Sequence, residues 1–138
     1  MRTVKFRVWN ENEKRMINFR ELNKSLCKMT IEDGSAKVIP MITFAMVIEE
    51  GGFILQQFTG LYDGDKEIYE GDIVRVKMYD DWDDEVGFDV TYEVAWCNIH
   101  VGWRGFTAAM KKRGSSGIGL PRPIKIVGNI FENPELLK

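Results

Sequence analysis

Apolar and polar residues alternate with a period of two along much of this chain, the spacing of strands with one face in a core and one in water. From Val4 to Trp9 the order Val-Lys-Phe-Arg-Val-Trp sets Val4, Phe6 and Val8 on one face and Lys5, Arg7 and Trp9 on the other. On that pattern Trp9 falls on the open face, outside the core. Asn10-Glu11-Asn12-Glu13-Lys14 reads as a turn, and Met16, Ile17 and Phe19 resume the apolar series, so residues 3–19 are expected to form a hairpin with a polar tip. Arg20 to Lys37 has no sustained period and reads as irregular, with room for a short strand and a turn at Asp33-Gly34. Between Val38 and Phe58, Glu49-Glu50-Gly51-Gly52 separates two apolar runs as a hairpin turn does.

The second half repeats the theme more clearly. Ile73 to Tyr79 is a strand, with a turn before it at Gly71-Asp72. Asp89 to Cys97 is the best-marked strand, with Val90, Tyr92, Val94 and Trp96 at alternate positions on the core face and Glu93 on the other. Trp103 to Met110 reads as a strand or a short turn of helix, Gly114 to Gly119 as a mobile surface loop stiffened at its exit by Pro121 and Pro123, and Ile124 to Phe131 as a closing strand. Asn133-Pro134-Glu135-Leu136-Leu137 has the form of one helical turn, with Asn133 as cap, Pro134 at the first position and the two leucines docking the end. Gly60, Gly64 and Gly71 punctuate the centre as turn residues. Many short strands with glycine turns predict a mainly β fold, with antiparallel sheets forming a small barrel or sandwich, an N-terminal hairpin and a short C-terminal helical turn.

Length and charge narrow the picture. A chain of 138 residues matches one ordinary domain with a core of its own. The net charge of −2 supplies no global field toward nucleic acid or an anionic membrane, so contact with either needs a local patch. The N-terminus lacks the continuous apolar centre of a signal peptide and no run approaches a membrane span, which predicts a soluble, cytoplasmic protein. Cys27 and Cys97 lie in unrelated contexts and read as buried thiols.

Each feature that hints at chemistry has a plainer reading. Asp80-Asp81-Trp82-Asp83-Asp84-Glu85 offers oxygen ligands for a hard cation, but without the spacing of the twelve-residue calcium loop it reads as a solvated hairpin tip. Lys111-Lys112-Arg113 with the following Gly/Ser loop is the one basic cluster, and it lacks the Lys-Ser or Lys-Thr ending of a phosphate loop. His100 is the single histidine and reads as structural or exposed; with Cys97 three residues away on an extended chain it forms no dyad. Asp63, Asp65, Glu67, Glu70 and Asp72 read as turn and surface residues rather than a glycosidase pair. No catalytic constellation emerges.

Three stretches carry a family resemblance: the opening Val4-Lys5-Phe6-Arg7-Val8-Trp9; the central Thr59-Gly60-Leu61-Tyr62-Asp63 with Lys66-Glu67-Ile68-Tyr69-Glu70-Gly71-Asp72-Ile73-Val74; and the ending Val127-Gly128-Asn129-Ile130-Phe131-Glu132-Asn133-Pro134-Glu135-Leu136-Leu137. In this order they closely resemble the YopX family of phage and prophage proteins, while 20–52 and 78–123 depart from it. The resemblance implies a β-dominated fold, with an SH3-like small barrel as one form of it, and a gene carried by a phage or integrated element. It implies no activity and no site residues.

The sequence thus predicts a phage or prophage accessory protein that works by binding, chiefly to itself through exposed aromatics and an open sheet edge or to a phage or host protein, and not by catalysis. The alternative is a nucleic-acid-binding barrel in which Lys111, Lys112, Arg113, Trp82 and Trp103 contact phosphate and bases; a small hydrolase is a distant third. No cofactor or metal is expected, because one histidine and two remote cysteines leave too few soft ligands for zinc. Metal analysis of the purified protein is expected to find no stoichiometric zinc; zinc that survives dialysis and is lost in His100→Ala would overturn this expectation.

Overall fold

The computed structural model describes residues 5–18, 20–21, 27–32, 35–40, 52–80 and 83–138. Over them the chain is mainly β, with two antiparallel four-stranded sheets, one of them curled into a half-barrel, and a separate two-stranded hairpin. The chain divides into two compact units, Thr3–Gln57 and a second formed essentially by Phe58–Lys138.

In the first unit β1 (Phe6–Asn10) and β2 (Arg15–Ile17) form the expected hairpin, with Val8 opposite Ile17 and Asn10 opposite Arg15. Asn10 sets the turn: its side-chain oxygen accepts from the backbone N–H groups of Asn12 and Glu13 at 3.1 and 3.2 Å, the local bonding that makes asparagine a turn residue. Val8 is buried with Phe6, Ile17, Phe53 and Leu55 against it, as the alternation requires. Trp9 is a correction, since it is 3% exposed rather than open to water. The second face of β1 is covered too: Gln56, opposite Arg7, is buried and accepts from Arg7 Nε at 2.7 Å, and the Trp9 indole N–H is satisfied by Glu11 at 2.7 Å. Lys14 and Trp9 together hold the Glu11 carboxyl below its usual range, Lys14 having the larger effect.

The segment read as irregular holds a hairpin, β3 (Cys27–Glu32) paired with β4 (Ser35–Pro40), in which Glu32 faces Ser35. Two residues, Asp33 and Gly34, connect them, so the turn signal carried more weight than the weak period around it. Val38–Pro40 therefore pairs with β3, while the run after the Glu-Glu-Gly-Gly stretch begins β5 (Phe53–Asp63), whose first half pairs with β1. Residues 41–51, with most of the expected turn there, lie outside the described residues, as do Phe19 and the Cys27 side chain.

In the second unit the rest of β5 pairs with β6 (Lys66–Tyr69), and the other four-stranded sheet has the order β10-β7-β8-β9, formed by β7 (Asp72–Asp80), β8 (Asp83–Cys97), β9 (Gly102–Phe106) and β10 (Ile124–Asn129). β8 starts earlier than the alternation indicates; Asp80 faces Asp83, so the acidic stretch does join two paired strands, with Asp81 and Trp82 outside the described residues. The region 103–110 is both of its expected forms in turn: β9, then the five-residue helix α1 (Ala108–Lys112). Gly64 occupies the first place of a two-residue loop at φ +61°, where primed hairpin turns need glycine. Gly60 differs from expectation: it sits inside β5 at a break in the register between Phe58 and Tyr62, and Thr59 stitches the irregularity by donating from Oγ1 to the Ile68 carbonyl at 2.7 Å and accepting from Leu61 N at 3.1 Å.

The core of this unit is Ile68, Val74, Val76, Tyr92, Val94 and Ile124, with Leu61, Met78, Val90, Trp103, Met110, Ile118, Leu120 and Ile126 packed around it. Fully burying one such aliphatic stabilises by about 1.5–3 kcal/mol. Trp96 breaks the alternation at 39% exposure, because the core ends at Val94 and the tryptophan lies beyond it near the strand end. The C-terminal 3-10 turn Pro134–Leu137 packs against β8 with Leu136 and Leu137 half-buried. Asn133 caps it without the expected side-chain bond, because its Oδ1 accepts from Asn129 N at 3.3 Å instead.

Between β6 and β7, Gly71 stands at φ +80°, its N–H donates to the Val94 carbonyl at 2.8 Å, and its own carbonyl accepts from Ile130 N at 2.9 Å. Asp72, buried beside it, accepts from Tyr69 N at 2.8 Å. A β-branched residue at this φ costs on the order of 1–3 kcal/mol. Gly71→Val is accordingly expected to lower Tm by roughly 5–10 °C, read by circular dichroism; an unchanged melting temperature would refute the account of this corner.

Candidate functional site

Two parts of the second unit gather the chemistry-bearing and exposed residues: the closed end of the β8–β9 hairpin and the helix that follows β9. Cys97 opposite Gly102 closes a four-residue loop, Asn98–Val101. Val101 holds φ +48°, in the left-handed region that a β-branched residue avoids. Ile99 and Val101 present their aliphatic side chains to water at 75% and 73% exposure. Trp96 and Trp103, directly opposite each other, meet edge to face with centroids 5.2 Å apart, a geometry favoured by the ring quadrupoles. Trp103 packs on the core, and its indole N–H is buried without a partner. His100 is exposed with Nε2 3.3 Å from Ser116 Oγ, while Cys97 is a buried free thiol. The two are not brought together as a dyad by any contact among the described residues.

The helix owes its start to Thr107, which accepts from Met110 N at 3.2 Å, satisfying one of the first-turn donors. This places Lys111 over Glu93, Nζ donating to Oε1 at 2.6 Å, with the Glu93 side chain 11% exposed and that of Lys111 47%. Glu93 is thus a buried carboxylate held by one lysine rather than a solvent-facing strand residue. Lys112 and Arg113 remain exposed.

Of the five residues singled out from the sequence, the four that are described do not converge. Lys111, Lys112 and Arg113 share the helix end, but Lys111 is paired with Glu93, which alternates with Tyr92 and Val94 and so projects from the opposite face of β8. Trp103 belongs with Trp96 and Val94 on the core side. Trp82 lies outside the described residues. The Gly/Ser loop is tethered: Ile118 exchanges two backbone bonds of 2.9 Å with Gly105, and Arg104 Nη2 donates to the Gly117 carbonyl at 3.0 Å.

Of the five carboxylates weighed as a catalytic pair, Asp63, Glu67 and Asp72 bond within the fold. Asp63 accepts from Ile126 N at 3.0 Å, tying β5 to β10 rather than bonding its own turn, and Glu67 accepts from the Tyr69 hydroxyl at 2.8 Å. Burial pushes the Tyr92 phenol up from its usual range. Sequence reasoning passed over the hairpin tip, although apolar Ile99 and Val101 flanking a histidine between two strands were a readable sign.

This architecture defines a β-dominated protein, with Asp63, Glu67, Asp72 and Glu93 engaged in hydrogen bonds within the fold. The model of the YopX protein family matches residues 5–138, so the chain belongs to the YopX family. In fold it is similar to protein EF1440 from Enterococcus faecalis, whose crystal structure superimposes with a TM-score of 0.58 at 22% identity over 100% of both chains. Comparison with curated proteins finds no match.

Removing Lys111 leaves the Glu93 carboxylate without its cation, a loss on the order of 1–2 kcal/mol. Exposed Lys112 carries no such bond, so its change is expected to stay within about 0.5 kcal/mol. Chemical denaturation of Lys111→Met and Lys112→Met compares them; equal midpoints would show that the pair contributes nothing.

Proposed function

We propose that this YopX-family protein is a phage- or prophage-encoded accessory protein that acts by binding and associates with itself through the β8–β9 edge. The observation that carries the reading is the tip formed by Ile99 and Val101, two aliphatic side chains about three-quarters exposed, on a loop that keeps a β-branched residue at positive φ. Such strain persists where the surroundings over-determine it and collects at binding sites. The edge strand supports the same reading. Gly105 uses its N–H and carbonyl outward, to Ile118, so by strict alternation Trp103 also directs its backbone groups away from β8. An open N–H and C=O beside Trp96, Ile99 and Val101 suits antiparallel pairing with the same strand of a second copy, a self-complementary two-fold contact.

The runner-up, nucleic-acid binding through Lys111–Arg113 with Trp103, has less in its favour, since Lys111 is engaged and Trp103 belongs to the other face of the sheet.

Light scattering on a size-exclusion column is expected to give a mass above 15.9 kDa that rises toward a dimer with concentration, and Ile99→Lys with Val101→Lys is expected to return the monomer. A monomeric mass for the parent at two concentrations rejects self-association.

A further inference from the structure

We propose that the exposed face of β7, together with its neighbours on β8 and β10, binds single-stranded nucleic acid. Along β7, Ile73, Arg75, Lys77 and Tyr79 share one face. Ile73 is buried and the other three are exposed. The register adds Lys125 of β10 directly opposite Arg75, with Thr91 of β8 on its other side. Like charges facing each other across a ladder are destabilising, yet Arg75 and Lys125 are both exposed and neither has a carboxylate partner among the described residues. On β8 the same face carries Asp89, opposite Lys77, and Glu93, which Lys111 already neutralises. Among the described side chains of this face Arg75, Lys77, Lys125 and Lys111 outnumber Asp89 and Glu93, while the acidic stretch 80–85 follows Tyr79 in sequence. On a chain whose net charge is −2, attraction to a polyanion is therefore confined to the part of the face around Arg75, Lys77 and Lys125.

Tyr79 distinguishes a nucleic acid from other polyanions. Its ring is 55% exposed and leans with Lys77 across Gly87: a Cβ at Gly87 would stand 2.9 Å from Tyr79 Cε1 and 2.8 Å from Lys77 Cγ and Cε. The absent side chain lets an aromatic face and a cation lie side by side. That pairing is the means by which flat sheet surfaces hold unstacked bases and track the backbone. A duplex keeps its bases stacked and paired, so their faces are closed to an aromatic ring such as Tyr79, whereas a single strand leaves them open to stacking. None of this rests on self-association through β9.

Fluorescence anisotropy with a fluorescein-labelled oligothymidine of about twenty nucleotides tests the assignment. Saturable binding is expected at low salt, with log K falling against log salt at a slope near −2 for about three cations on a single strand. Arg75→Gln with Lys125→Gln removes a repulsive pair, so the variant folds; it is expected to bind about tenfold more weakly and to lower the slope by about 1.4. Tyr79→Ala is expected to lose on the order of tenfold in affinity while Tyr79→Phe keeps it. Absence of binding at low salt, unchanged binding by the charge variant, or tighter binding of the matching duplex would overturn the proposal. Equal displacement by polyglutamate would assign the face to acidic proteins and overturn it as well.

Discussion

The turn at Gly71 and Asp72 is the constraint on which the second unit depends. One residue there, Gly71, bonds to β8 through its N–H and to the residue that follows β10 through its carbonyl, and the neighbouring carboxylate closes the turn on Tyr69. β7 can enter the sheet in only one register once these bonds are made, because a slip of one residue would carry Ile73, Val74 and Val76 to the wrong faces. The positive φ follows from the need to turn and bond in both directions within one residue, and glycine meets it without a steric penalty.

The parts of this fold legible in the sequence are those whose cause is local. Alternation placed Phe6 and Val8, then Tyr92 and Val94, on core faces, and the structure buries or packs them there. Asn10 acts through bonds within a few residues of itself, and Gly64 and Gly71 through their own dihedrals. What was not legible depends on contacts distant in sequence. Trp9 has the spacing of an exposed residue but belongs to a strand covered on both sides, which no two-residue period reveals. Asp63 resembles a turn residue and bonds 63 positions away. Arg75, Lys77 and Lys125 look like scattered surface charge until the register sets two of them opposite each other.

Family and function separate for the same reason. The motifs that place the chain in the YopX family include turn glycines, turn aspartates, core aliphatics and the end of the chain, all of which specify a backbone. The similarity to the Enterococcus faecalis protein, at 22% identity, is likewise one of fold. The features on which the two binding proposals rest, the hairpin tip and the face of β7, fall largely within 78–123 or on solvent-facing positions, where the fold places little demand on side-chain identity.

The two outer strands of the β10-β7-β8-β9 sheet are stoppered by different means. On β9 the Gly105–Ile118 exchange places a single residue of the Gly/Ser loop where another strand would begin, and on β10 the Ile126 N–H is occupied by the carboxylate of Asp63. On β9 that exchange stops at Gly105 and leaves the stretch at Trp103 open, so this margin has room for one short partner strand and offers no long continuous ladder for a fibril. The Gly/Ser loop and the aspartate thereby favour small closed assemblies over open-ended ones at these edges.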